Sequence, residues 1–106
     1  MITELDHLLL TLAEECAETI QRVTKAQRWG LNEIQPGQEL NNQQRLRYEL
    51  NDVFAVVELL YERHGVVLVR DNEMIIAKKS KVLHFMQYAR EIGELEPSHP
   101  LNPIGK

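Results

Sequence analysis

A single cysteine, Cys16, means that no disulfide can form within these 106 residues, so a reducing compartment is the simplest expectation. Basic residues are not in excess. Twelve Lys and Arg face 16 Asp and Glu for a net charge of −4, which gives no electrostatic reason to expect a nucleic-acid partner. No apolar run approaches the length of a membrane span. The first residues carry Glu4 and Asp6 where a signal peptide carries a basic stretch, and no cleavage site follows. A cytoplasmic protein with no membrane and no nucleic-acid partner is therefore expected. His7, His64, His84 and His99 are scattered and, with the isolated Cys16, lack zinc-ligand spacing. A Gly-rich phosphate loop of the Gly-x-x-x-x-Gly-Lys type is also missing. Aromatics make up only 6% of the chain.

What remains is an ordinary globular composition, 43% hydrophobic and 26% charged, of single-domain size. Three helical stretches are expected. The first starts at an N-cap near Thr3 and runs to about Arg28 on the stripe Leu5, Leu9, Leu12, Cys16, Thr19, Val23 and Ala26, a four–three alternation that marks one helix face. Trp29-Gly30 ends it, with Gly30 free to adopt the left-handed conformation of a C-terminal cap. Pro36-Gly37 marks a turn in the loop that follows. Asn41 or Asn42 caps the second helix, which runs on Leu46, Leu50, Val53, Val57 and Leu60 to about His64, where Gly65 stops it. Val66 to Val69 is an extended connector or a short strand, which periodicity does not separate. Asp71 or Asn72 caps a third helix that reaches Glu91 or Gly93 on the stripe Ile75, Lys78, Val82, Phe85, Ala89 and Ile92.

The expected architecture is all-α: three long helices per chain, with residues 1–93 as one helical domain and 94–106 as a proline-rich tail holding Pro97, Pro100 and Pro103. Three helices make a thin monomer, and small domains bury a low fraction of their surface. A homodimer that completes a helical bundle is expected.

Two acidic blocks carry the chemistry: Glu14-Glu15-Cys16-Ala17-Glu18 and Glu49-Leu50-Asn51-Asp52. Glu15/Glu18 and Glu49/Asp52 are each three residues apart, so each pair shares a helix face. Acidic helix faces are commonly plain solvated surface. Here, though, Glu15 follows Leu12 and Leu8 at helical spacing, Glu49 lies between Leu46 and Val53, and Asp52 precedes Val56 and Leu59. Carboxylates that border an apolar stripe on two packed helices need counter-charge. Divalent cations would supply it. So would a structural salt-bridge network drawing on Arg22 and Lys25, four and seven residues beyond Glu18. Ligands that are all oxygen suit Mg²⁺, Mn²⁺ or Ca²⁺. A di-iron bundle needs Glu-x-x-His on two helices, and the two matches, Glu4 to His7 and Glu96 to His99, are misplaced for it.

Glu14-Glu15-x-x-Glu18 followed on the next helix by Glu49-x-x-Asp52 resembles the signature of the MazG-like all-α nucleoside triphosphate pyrophosphohydrolases. The likeness extends over Leu12 to Leu60, including Lys25-Ala26-Gln27-Arg28-Trp29-Gly30 and the Pro36-Gly37 loop. The resemblance implies a dimer, or a pair of dimers, that uses Mg²⁺ (with Mn²⁺ as the alternative) to split a nucleoside triphosphate into the monophosphate and pyrophosphate. It implies Glu15, Glu18, Glu49 and Asp52 as metal ligands and Glu14 as a supporting catalytic acid. Lys78 and Lys81 stand on one edge of the third helix as phosphate contacts or as lysines whose stems cover apolar surface. Arg28 and Trp29 are further substrate-binding candidates, with Trp29 read first as a packing anchor. Cys16 is expected to be an inert core thiol and Tyr48 and Tyr61 to be half-buried. The alternatives are a specialised relative, acting on dUTP or on phosphoribosyl-ATP, and a catalytically silent helical dimerisation module.

Overall fold

In the computed structural model, which describes residues 1–98, the protein is all-helical: α1 spans Glu4–Trp29, α2 Asn42–His64 and α3 Asn72–Glu91, with no strand among the described residues. Val66–Val69 is thus a connector. The chain divides into two compact units, one of residues Met1–Val69 and the other beginning at Arg70. No described helix is long and apolar enough to cross a membrane.

Local chemistry sets the helix ends. The Thr3 hydroxyl accepts from the Asp6 amide at 3.0 Å and so satisfies one of the free N–H groups of the first turn of α1. At α2 the cap is reciprocal: the Asn41 side chain accepts from the Gln44 amide at 2.8 Å, and the Gln44 side chain accepts from the Asn41 amide at 2.9 Å. Asp71 caps α3 through the Met74 amide, which makes Asn72 the first helical residue. Gly65 closes α2 at φ 65°, ψ 19°, the left-handed conformation that costs glycine nothing. Gly30 departs from expectation. Its φ of 96° is positive but its ψ is 153°, so the chain leaves α1 extended instead of curling back in a left-handed cap.

The first unit is an antiparallel hairpin of α1 and α2. Leu60 and Asn42 are fully buried, and Ala26 and Val56 nearly so. The seam on α1 is made by Leu5, Leu8, Leu12, Glu15, Thr19, Arg22 and Ala26, and all of these are half-buried or buried. The sequence stripe shares Leu5, Leu12, Thr19 and Ala26 with this set. It differs at the alternate positions: Leu9, Cys16 and Val23 are exposed. Cys16 therefore lies outside the core of the single chain. Leu50 of α2 and both Tyr48 and Tyr61 are likewise exposed in the single chain.

The loop between the helices is tied to the start of α2. Asn42 donates through Nδ2 to the Gly30 carbonyl at 2.8 Å and to Glu33 Oε1 at 3.0 Å, and its amide donates to the Glu33 carbonyl. Arg45 donates to Gln35 Oε1 at 2.8 Å. Gln38 N–H bonds to the Gln35 carbonyl across Pro36-Gly37, with Gly37 at φ 83°, the pattern of a type II turn. At the far end of the hairpin Glu4 accepts from Arg63 through both carboxylate oxygens and from His64 at 3.0 Å.

In the second unit α3 is amphipathic, with Ile75, Met86 and Ala89 half-buried and Val82, Leu83 and Phe85 exposed. Residues 94–98 leave the helix. Pro100, Pro103 and His99 lie outside the described residues.

Candidate metal centre

Glu15 and Glu18 stand three residues apart on α1, and Glu49 faces them from α2. One carboxylate oxygen from each lies within 4.8 Å of the other two. Glu15 and Glu49 are half-buried in the seam and Glu18 is exposed at its edge. Two oxygens, Glu15 Oε2 and Glu49 Oε2, are buried without a hydrogen-bond partner. Burial pushes the Glu15 carboxyl above its ordinary range, and the charges of Glu18, Asp52 and Glu49 push it further. Glu49 rises for the same first reason, burial, followed by its hydrogen-bonding contact with Glu18 and the charges of Glu18 and Asp52, with Arg22 opposing.

Asp52 is outside the three-oxygen group, though its charge acts on both Glu15 and Glu49. Glu14 is exposed and is not one of the three. Arg22, one turn beyond Glu18 on α1, is half-buried in the same seam, and its Nε and Nη1 are buried without partners. Among the described residues the ion pairs are those of Glu4 with Arg63 and His64, and none includes the cluster. The salt-bridge network that could have explained inward-facing acids is not formed here.

The donor set fits a hard divalent cation. Oxygen ligands alone suit Mg²⁺, Mn²⁺ or Ca²⁺. Metal–oxygen distances of ~2.0 to 2.6 Å put ligand oxygens on one ion ~3 to 5 Å apart, so side-chain torsion alone can close the group around a cation. The two buried, unpartnered oxygens supply the physical reason. A desolvated carboxylate oxygen with no donor costs free energy, and a cation removes that cost.

The other candidate residues divide by unit. Arg28 is exposed in the last turn of α1. Trp29 is half-exposed at 56% and is not a packing anchor. Its ring borders an open pocket of about 430 Å³ with Glu33, Gln35 and Pro36. Lys78 and Lys81 are exposed on α3, in the second unit, and line an open groove of about 440 Å³ with Val82, Phe85 and Met86. Two further residues matter in the hairpin: Asn42, which anchors the loop from a fully buried position, and Arg22, expected only as a salt-bridge partner of the acids. The spacing of Arg22 from Glu15 and Glu18, seven and four residues, was the available signal. Asn42 had none beyond its capping preference. Comparison with family models, curated proteins and solved structures finds no match to this chain.

Proposed function

We propose that the chain is a MazG-like, divalent-metal-dependent nucleoside triphosphate pyrophosphohydrolase that acts as a homodimer or a pair of dimers. The observation that carries this reading is the convergence of Glu15, Glu18 and Glu49 across the α1–α2 seam, with two of their oxygens buried and unpartnered. The sequence resemblance supplies the reaction. Glu15, Glu18 and Glu49 would hold Mg²⁺ or Mn²⁺, with Asp52 completing the set and Glu14 supporting it.

When bound, the cation would neutralise the carboxylates, bind phosphate oxygens and lower the pKa of a coordinated water. The chain's own contribution is positioning. Two helices fix the acids on either side of one seam, so little reorganisation is left for the reaction. Water adds to phosphorus, the anhydride bond between the α- and β-phosphates breaks, and the monophosphate, pyrophosphate and a proton leave. Lys78, Lys81, Arg28 and Trp29 are the proposed substrate contacts.

The dimer is supported by what α2 leaves uncovered. Leu9, Cys16 and Val23 form an apolar edge on α1, and Phe54 of α2 is 56% exposed. Isolated exposed apolar residues are normal, but a continuous edge beside the hairpin seam suits a second copy. Sedimentation equilibrium tests it, with a monomer at micromolar concentration as the contrary result.

The enzymatic reading is tested by pyrophosphate release from the normal and modified nucleoside triphosphates with Mg²⁺, alongside thermal unfolding with and without Mn²⁺. A ligand that binds only the native state raises its stability. The expected result is release from at least one nucleotide and a metal-dependent rise in Tm. No rise at millimolar metal together with no release from any nucleotide would sink the proposal and leave the helical dimerisation module.

A further inference from the structure

Four of the five buried, unpartnered side-chain polar atoms among the described residues come from the cluster and its neighbour: Glu15 Oε2, Glu49 Oε2, and Nε and Nη1 of Arg22. Opposite charges stand close enough for Arg22 to act on Glu49, yet no ion pair joins them. Buried guanidinium donors with no acceptor are costly, because Nε and Nη1 have given up water and gained no hydrogen bond in return. The guanidinium also has no hydrogen bond to lose, so its flexible stem can swing at little cost.

Charge balance shows what would occupy it. In the metal-free chain the nearby acids are the natural counter-charge for Arg22. Divalent cations bound to Glu15, Glu18 and Glu49 would use up that negative charge and leave the guanidinium facing a neutralised site. An anion then becomes its best partner, and the planar fork of Arg matches two phosphate oxygens at once. The position of Arg22, one turn from Glu18 on the same helix face, places it beside the cation ligands.

We propose that Arg22 is the anion-side group of this site: it donates to the phosphate oxygens of a polyphosphate whose other oxygens meet the cations held by Glu15, Glu18 and Glu49. This rests on the metal-site reading and adds a substrate-positioning residue from the first helix. Arg22 is silent in the free protein and engages when cation and polyphosphate are bound together.

The test uses the full chain and two variants, Arg22→Met and Arg22→Lys, with circular dichroism to check the fold. Binding of Mn²⁺ alone is followed by electron paramagnetic resonance, and binding of inorganic triphosphate in saturating Mn²⁺ by calorimetry. Arg22→Met should bind Mn²⁺ as tightly as the wild type or more tightly, because a positive charge beside Glu49 is gone. Its affinity for Mn²⁺-triphosphate should fall ~10-fold or more, the scale of a lost charge-assisted hydrogen bond. Arg22→Lys should recover part of the loss, since it keeps the charge but not the fork. Unchanged triphosphate affinity in Arg22→Met overturns the proposal. So does a loss of Mn²⁺ affinity that Arg22→Lys restores, which would make Arg22 a support for Glu49 alone. If Arg22→Met does not fold, full wild-type triphosphate affinity in Arg22→Lys overturns it. A wild type that binds no Mn²⁺ removes the metal site and Arg22's role together. A wild type that binds Mn²⁺ and triphosphate but hydrolyses no nucleotide sinks the enzyme reading and leaves Arg22 standing.

Discussion

Two groups of acids lie along one helix hairpin, and they are opposites. Glu4, at the open end, accepts from Arg63 and His64, and the Arg63 hydrogen bond holds its carboxyl down at about 2. Some eleven residues along α1, or ~16 Å at the helical rise, Glu15 faces Glu49 and Glu18 with no hydrogen bond to a cationic partner, and both Glu15 and Glu49 are pushed up. The residue type and the two helices are the same in each group. What differs is the partner. At the clasp the facing helix supplies two basic groups. At the cluster it supplies more acid. The first arrangement is complete in the protein as it stands, whereas the second leaves Glu15 Oε2 and Glu49 Oε2 without a hydrogen-bond partner. The proposed metal site rests on that contrast, because buried polar atoms without a partner are uncommon and here two of them belong to one cluster of carboxylates.

The strongest way to break the comparison is Glu49→Gln. A metal-supported phosphoryl transfer draws several kcal/mol from the cation, and each 1.36 kcal/mol is tenfold in rate, so pyrophosphate release should fall ~100-fold or more. The metal-free fold should be at least as stable as the wild type, because one repelling charge has gone. Retained turnover would remove Glu49 from the ligand set.

A smaller effect is expected from pH. Glu15 and Glu49 titrate above the ordinary 4.5 in the native state. Between that value and their raised one, the native protein holds more protons than the unfolded chain. Stability therefore falls as pH rises through this window. Urea unfolding of the metal-free protein should show a loss from pH 4.5 upward that is flattened in Glu49→Gln and abolished by saturating Mn²⁺. A metal-free stability that climbs over the same range would contradict the assignment.

The smallest effect belongs to the clasp. Glu4 is displaced from 4.5 to about 2, so it contributes stability that is present above pH 4.5 and lost as pH falls through about 2. Glu4→Gln should lower the Tm slightly at pH 7 and not at all below pH 2. The pair is exposed, and added salt should shrink the difference further. An effect as large as that of the cluster would mean that the two groups do not differ in the way described.

The helices themselves were legible because their ends are written locally. Thr3, Asn41 with Gln44, and Asp71 bond to amides three residues away, and Gly65 takes a conformation that only its own lack of a Cβ makes cheap. The acidic pairs were legible too, since three-residue spacing puts each on one face. The alternate seam positions were not. Leu9, Cys16 and Val23 are as periodic as Leu8, Glu15 and Arg22, and the two sets differ by one residue, about 100° around the helix. Apolar preference selects the first set, but α2 covers the second.

By itself, then, the sequence determined the all-helical class, the helix limits and the two acidic blocks, because capping and side-chain spacing act within a few residues. The tertiary structure alone decided which edge of α1 meets α2, that Glu49 joins Glu15 and Glu18 in one group of oxygens while Asp52 acts on Glu15 and Glu49 through its charge, and that Arg22 enters the seam unpaired. The physical reason is that the rotation and register of two packed helices depend on both surfaces at once, and neither helix carries that information alone.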